Sequence, residues 1–289
     1  MKKERKYFYL FISPWLIGFL AFTLGPMLYS LYCSLCEWDG LTKPIFLGLN
    51  NYVRTVFSNQ DFRRSLKNTF VYAIFAVPSS MALALFIAFL MNMKHRGAGI
   101  FQAFFYFPSV AAGTAVYLVW TWLFNSETGV INYFLSLLGI QGPRWLNSPE
   151  WSMPSLIIMN LTFCGQAMLI FLAALKQVPE VYYEAAEIDG ANAADKFFKI
   201  TVPQIMPIVL LNTVKGIIDA FQIFNQPYIM TNGGPMRSTY TYGMLIYDTA
   251  FLYYRFGEAA AQSWILCALL VVLSVIVMKV MNRKSDSEY

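Results

Sequence analysis

Residues 153–175 read MPSLIIMNLTFCGQAMLIFLAAL, and after Lys176 and Gln177 residues 178–207 read VPEVYYEAAEIDGANAADKFFKITVPQIMP. The first stretch contains no Asp, Glu, Lys or Arg. It is long enough to cross a bilayer, which takes roughly 20 apolar residues. The second spends about thirty residues on alanines, carboxylates and lysines before apolar sequence resumes. A span, a long polar excursion and another span describe a membrane protein with work to do at one surface.

Working outward, six apolar runs have spanning length: 8–32, 70–91, 101–124, 153–175, 205–230 and 259–278. The composition agrees: 57% of the 289 residues are hydrophobic, 13% are charged, and the mean hydropathy is +0.50. A soluble domain carries about a quarter charged residues, so this chain cannot cover a water-facing surface. The fold expected is an all-α integral membrane protein with six transmembrane helices. The first run follows Lys2, Lys3, Arg5 and Lys6 but lacks a clean small-x-small cleavage site, so it reads as a retained span rather than a signal peptide. Pro14, Pro26 and Pro78 lie inside spans, where packing neighbours can satisfy freed carbonyls.

Lys and Arg prefer the cytoplasmic side of a membrane. With both termini inside, the inner segments hold twelve (Lys2, Lys3, Arg5, Lys6, Lys94, Arg96, Lys176, Lys196, Lys199, Lys279, Arg283, Lys284) and the outer segments eight. The formal charge of +5 is thus a matter of topology, and no nucleic acid partner is expected. Trp38, Trp145, Trp151, Tyr52 and Tyr254 stand near span ends, where amphipathic rings settle at the headgroup level. Cys33 and Cys36 form a C-x-x-C without a second pair, and the one histidine, His95, is far away in sequence, so no metal site is expected.

The segment 178–207 divides further. Residues 180–188 can form a short helix after Pro179, Asp189-Gly190 breaks it, and 191–200 resumes helical character. Pro203 and Pro207 mark the start of the fifth span. Ala185, Ala186, Ala191, Ala193 and Ala194 form a small-residue surface, while Glu184, Glu187 and Asp189 offer carboxylates to a basic partner. A short exposed helix of this kind suits docking into a groove of another protein.

Glu184, Ala185, Ala186, Asp189, Gly190, Ala191, Phe198, Ile200, Pro203 and Pro207 stand at the spacing of the EAA motif. In this the chain resembles the permease subunits of bacterial binding-protein-dependent ABC importers. Val202 stands where that family often has Leu. A second Glu-Ala-Ala at 258–260 lacks the Asp-Gly-Ala and the prolines. The stretches GLNNY (48–52), SLKNT (65–69) and TNGGP (231–235) are similar to the carbohydrate-uptake branch, nearest its maltose- or glycerol-phosphate-type first permease.

The resemblance implies a type I ABC importer permease fold in the bacterial cytoplasmic membrane. Residues 1–67 would be the cytoplasmic N-terminus, first span and outer loop, 68–282 the importer core with its coupling loop at 178–207, and 283–289 a cytoplasmic tail. It implies a sugar or related solute, a second homologous permease, two ATPase subunits and an extracytoplasmic solute-binding protein. ATP and Mg would sit on the ATPases, with no cofactor in this chain. Glu184, Ala185, Ala186, Asp189, Gly190, Ala191 and Pro203 would dock and couple the ATPase.

The fifth run alone has ionisable residues inside it, Lys215 and Asp219. Four apart, they share a helix face. Charges in a span usually face the bundle interior or water. Two readings stand: an internal ion pair that holds helices together, or a solute path lined by Asp219, Gln222 and Asn225. In the fourth run Thr162 and Gln166 are also four apart, with Phe163 beside them. Hydrogen-bonding side chains with an aromatic plane suit a sugar. By resemblance, Ser109 and Gly113 of the third run join that path.

Rival readings explain less. A secondary transporter commonly shows internal repeats and ionisable coupling sites at mid-membrane, and here there is no repeat and one mid-span charge pair. No H-E-x-x-H, G-x-S-x-G or G-x-x-x-x-G-K-[ST] occurs, which speaks against a membrane enzyme and a P-loop nucleotide site.

Overall fold

Inside a bilayer no water satisfies backbone N–H and C=O groups, so each spanning segment must pair them within itself. The computed structural model follows that constraint. It describes residues 2–93 and 97–286, with side chains over 10–93 and 97–280. Lys94, His95 and Arg96 lie outside the described residues, as do residues 287–289 and the side chains of Lys2, Lys3, Arg5, Lys6, Arg283 and Lys284. The inner-side charge expectation therefore rests largely on residues beyond this description.

The principal helices are α1 (Leu10–Ser34), α2 (Gln60–Asn92), α3 (Ala98–Val110), α4 (Gly113–Leu123), α5 (Val130–Leu137), α6 (Pro149–Leu175), α7 (Glu180–Ile188), α8 (Ala193–Phe221), α9 (Asn225–Met230), α10 (Tyr242–Tyr247) and α11 (Phe256–Asp286). Among the described residues α1, α2, α6, α8 and α11 are each long and apolar enough to cross a membrane, and α3 with α4, counted as one bent span, brings the candidates to six.

Two compact units emerge. One comprises residues 64–244 and 269–289. Its core packs Ala84, Ile87 and Ala88 of α2, Cys164, Ala167, Met168, Phe171, Leu172, Ala174 and Leu175 of α6, and Ile205 of α8. Alanines in this list let backbones approach, which is how helices gain contact where lipid offers no hydrophobic drive. α3 and α6 approach closely at Gly165, where an added Cβ would stand 2.2 Å from the Phe105 carbonyl oxygen of α3. Gly216 of α8 faces Val77 of α2, with 3.2 Å left for a Cβ.

The other unit comprises residues 1–63 and 245–268. α1 buries none of its most apolar window. Beyond it, β1 (Cys36–Glu37) pairs antiparallel with β2 (Ile45–Phe46), Cys36 opposite Phe46. Asn51 Nδ2 donates to the Ser34 and Cys36 carbonyls at 2.9 and 2.8 Å. Gly257 of α11 fits against this turn, and a Cβ there would lie 2.0 Å from Cys36 O. Asp39 accepts the Leu41 and Thr42 amides and the Thr42 hydroxyl, which hold its carboxyl down at about 2. Cys33 and Cys36 are buried free thiols.

Three sequence expectations need correction. The run 101–124 is not one helix: α3 and α4 meet at a 99° bend, with Ala111 and Ala112 in extended backbone. Pro108 stands a turn before the bend and Gly113 directly after it, and both residue types weaken helices without lowering hydropathy. The run 205–230 is also interrupted. α8 ends at Phe221, Phe224 leaves helical backbone, and α9 begins at Asn225. The Thr241 hydroxyl donates to Ile223 O at 3.0 Å, and Gly243 packs on the same carbonyl, fixing the break. Finally, the helix after Gly190 starts at Ala193 and runs unbroken past Pro203 to Phe221. A π-helical turn at Phe197–Thr201 precedes the proline. Proline lacks an N–H and collides with the carbonyl four residues back, and the wider turn accommodates both defects.

Candidate functional site

Within the 64–244 unit lies a cavity of about 330 Å³. α2 supplies Tyr72 and Ser80, α4 Tyr117, α6 Asn160, Phe163 and Gln166, and α8 Asn212, Lys215 and Asp219. Gln222, Phe224 and Asn225 close it at the α8–α9 break. That break matters: a continuous helix would turn successive side chains through about 100°, whereas the non-helical residues 222–224 let Gln222, Phe224 and Asn225 all face the same space.

Of the eight residues the sequence suggested for a solute path, Phe163, Gln166, Asp219, Gln222 and Asn225 line this cavity. Thr162 does not, and the reason is local. Leu161–Cys164 is a 3₁₀ turn, with three residues per turn, so residues three apart eclipse. Asn160, Phe163 and Gln166 therefore share the cavity face in place of Thr162 and Gln166. Ser109 and Gly113 stand behind the lining. The Ser109 hydroxyl donates to Phe163 O at 3.4 Å. A Cβ at Gly113 would sit 3.3 Å from the Tyr117 hydroxyl, so glycine leaves that ring its position, edge-on to Phe163 at 6.0 Å.

The polar groups divide into fixed and free. Gln226, 3% exposed, accepts from the Tyr72 hydroxyl at 3.0 Å and donates to Leu156 O at 2.6 Å, so it ties α2, α6 and α9 together. Asn212 donates to Ile208 O on its own helix. Among the described residues the amides of Asn160, Gln166, Gln222 and Asn225 make no hydrogen bond, leaving donors and acceptors for an incoming group. Lys215 Nζ donates to Asp219 Oδ2 at 2.8 Å, with both side chains more than half exposed. The pair lies within one helix and bridges no two helices. Sequence reasoning missed Tyr72, Ser80, Tyr117, Asn160, Asn212 and Phe224. Tyr72 and Ser80 had a readable signal, since eight residues is close to two helical turns, and Asn160 is polar inside an apolar run.

The segment after α6 is built from capping chemistry. α7 ends in a Schellman turn: Ala191 N–H donates to Ala186 O at 2.9 Å and Gly190 N–H to Glu187 O at 3.1 Å, with Gly190 at φ +77°. Asn192 then caps α8, accepting from the Ala194 and Asp195 amides while the Asp195 carboxylate accepts from the Asn192 amide. Two side-chain links tie α7 to α8: Tyr183 Oη to Thr201 Oγ1 at 2.8 Å, and Lys196 Nζ donating to Glu187 Oε1 at 2.5 Å. The lysine holds the Glu187 carboxyl below the usual range. Glu184, Ala185 and Asp189 are exposed, Ala186 and Ala191 half-buried. Among the described residues Glu184 pairs with nothing. Val181, Tyr182, Ile188 and Phe198 are exposed apolar groups around it.

Comparison with known proteins bears on the fold and the family. Residues 57–288 match the family described as binding-protein-dependent transport system inner membrane component. A probable ABC transporter permease protein of Bacillus subtilis, YesP, is 38% identical, over 96% of this chain and 91% of its own length. The lactose transport system permease protein LacF of Rhizobium radiobacter is 33% identical over 92% and 91%. In fold, the chain resembles one from the crystal structure of a bacterial alginate ABC transporter in complex with an alginate pentasaccharide-bound periplasmic protein, at TM-score 0.84 and 22% identity, covering 98% and 96% of the two chains. Helices of spanning length, a type I permease architecture and a family match over four-fifths of the sequence agree: the chain belongs to the binding-protein-dependent inner membrane components, and is a permease subunit of an ABC importer rather than an enzyme.

Proposed function

We propose that this permease carries a sugar-type solute through the cavity between α2, α4, α6, α8 and α9, driven by separate ATPases docked on α7. The observation that carries the solute class is the set of four unengaged amides, Asn160, Gln166, Gln222 and Asn225, around the Phe163 and Tyr117 rings. Amides both donate and accept, which suits hydroxyl groups, and aromatic faces suit the apolar side of a pyranose. Relatives named for lactose and for trehalose and maltose transport support the class.

The rest of the machine follows from what the chain needs. A second homologous permease would complete the path and cover apolar surface such as that of α1, whose spanning window is unburied. Two ATPases would bind ATP and Mg and receive α7, with Glu184 meeting a basic residue. A binding protein would deliver the solute from outside, placing both termini of this chain in the cytoplasm.

The test is uptake of labelled lactose, maltose and trehalose by cells expressing the complete importer. Gln166→Leu, Gln222→Leu and Asn225→Leu each remove hydrogen bonds worth about 0.5–1.5 kcal/mol, so uptake should fall roughly two- to tenfold. Complex yield should not change. Undiminished uptake in all three variants would reject this lining.

A further inference from the structure

The connection between the third and fourth spans holds a helix that the transport path does not use. α5 begins where α4 ends: a Cβ at Gly129 would stand 2.5 Å from the Leu123 carbonyl oxygen. One side of the connection is locked inward. Asn132 donates to the Ser126 and Pro143 carbonyls at 2.9 and 3.3 Å and accepts from the Trp145 indole at 2.7 Å. Trp145 is buried between Phe124 and Trp151. The other side is apolar and bare. Tyr133, Phe134, Leu137, Leu138 and Ile140 are 52–75% exposed, and no charged residue occurs from 130 to 140.

The spacing 133, 134, 137, 138 places these side chains on one helical face. We infer that α5 is an interfacial helix, its apolar face sunk into the headgroup–acyl boundary of the leaflet opposite α7. Continuity with the lipid-facing surface names the occupant. α4 ends at Leu123 with Leu118, Val119 and Trp122 exposed, and in the second half of the bent pair that forms the sixth candidate span these residues can face only lipid or protein. A helix whose N-cap, Gly129, packs on the last residue of that half lies at the depth where Trp and Tyr gather. An uncharged face is also a poor site for a soluble partner that leaves in every cycle, because departure would return the whole apolar surface to water at about 25 cal/mol per Å². Lipid covers it permanently, while Gly129 and Asn132 fasten the opposite side of α5 to the protein.

Spin labels test this. In the full chain carrying Cys267→Ser, with the three other cysteines buried, a nitroxide is placed at Leu137→Cys, at Leu138→Cys, or at Gln141→Cys, which lines a polar hollow with Glu127 and Arg144. The protein is reconstituted in vesicles of phosphatidylethanolamine and phosphatidylglycerol. Collision with oxygen, which concentrates in lipid, should exceed collision with a water-soluble nickel chelate several-fold at 137 and 138, and the order should reverse at 141. If 137 and 138 collide with nickel as freely as 141, α5 lies in water and the inference fails. It fails equally if they become shielded only when partner subunits are added, which would make the face a protein interface.

Discussion

Gly190 concentrates what one residue contributes here. At φ +77° it occupies backbone that L side chains enter at a cost, yet a Cβ added there would meet nothing within 4 Å. The cost of any substitution is therefore conformational and not steric, which makes it gradable. Gly190→Val, β-branched, should destabilise the turn by about 1–3 kcal/mol, whereas Gly190→Asn, whose side chain tolerates the left-handed region, should cost far less. Retention of the ATPase on the purified importer reads the difference: it should drop for valine and largely survive for asparagine. Equal retention in both would mean that the turn is not used in docking. The glycine and its flanking acids were legible from sequence because a Schellman turn is local and written in one residue type. The cavity was less so. Thr162 was expected on the face that Asn160 and Phe163 occupy, since the 3₁₀ turn at Leu161–Cys164 changes which residues eclipse. Nothing in an apolar run announces such a turn.

Elements were legible where a hydrophobic run and a helix coincide, and illegible where the backbone departs from the run. Hydropathy counts side chains, so it passed smoothly over the 99° bend between α3 and α4 and over the break before α9. Both breaks are imposed by neighbours as much as by local sequence. α3 is held against α6 at Gly165, whose missing side chain admits the Phe105 carbonyl. In membranes such small-residue contacts replace the hydrophobic drive that lipid cancels. Gly165→Ala would place its Cβ 2.2 Å from backbone oxygen, with no flexible side chain to yield. The α3–α6 pair must then separate, carrying Ser109 from Phe163 O and the Phe163 ring from its place. The expected outcome is a lower melting temperature of the detergent-purified importer and lost uptake. Ala167→Gly, in the same helix, should cost roughly 1 kcal/mol through helix propensity, plus the packing of one core methyl, without pushing α3 away. A Gly165→Ala importer with unchanged melting temperature and uptake would show that this approach is not required.

At the scale of the whole molecule, the question is how the proposed docking at α7 would reach the cavity. α8 offers the route, since it runs without interruption from Ala193, close after α7, to Phe221, beside Gln222. Its 29 residues, at 1.5 Å each, make a rod of about 43 Å with Asp219 at one end and the α7 links at the other. Pro203 does not hinge this rod, because the π turn at Phe197–Thr201 absorbs its defects. What joins α7 to the rod is slight: the Schellman turn, Tyr183 to Thr201, and Glu187 to Lys196. Docking and transmission are therefore separable by mutation. Glu184→Lys puts a cation where a basic partner is expected, on a side chain that pairs with nothing among the described residues and supports no part of the fold. It should release the ATPase, so that transport and solute-stimulated ATP hydrolysis fall together. Tyr183→Phe leaves every docking carboxylate in place and removes one link, a hydrogen bond of about 0.5–1.5 kcal/mol. It should keep the ATPase bound while transport per ATP hydrolysed declines, because motion of α7 is passed less faithfully to α8. Two-state coupling of this kind needs differential contact at both ends of one rigid element. If Glu184→Lys retained the ATPase and full transport, α7 would not be the docking helix. If Tyr183→Phe lost the ATPase as completely as Glu184→Lys, the link would belong to docking and α8 would have no claim to act as the lever.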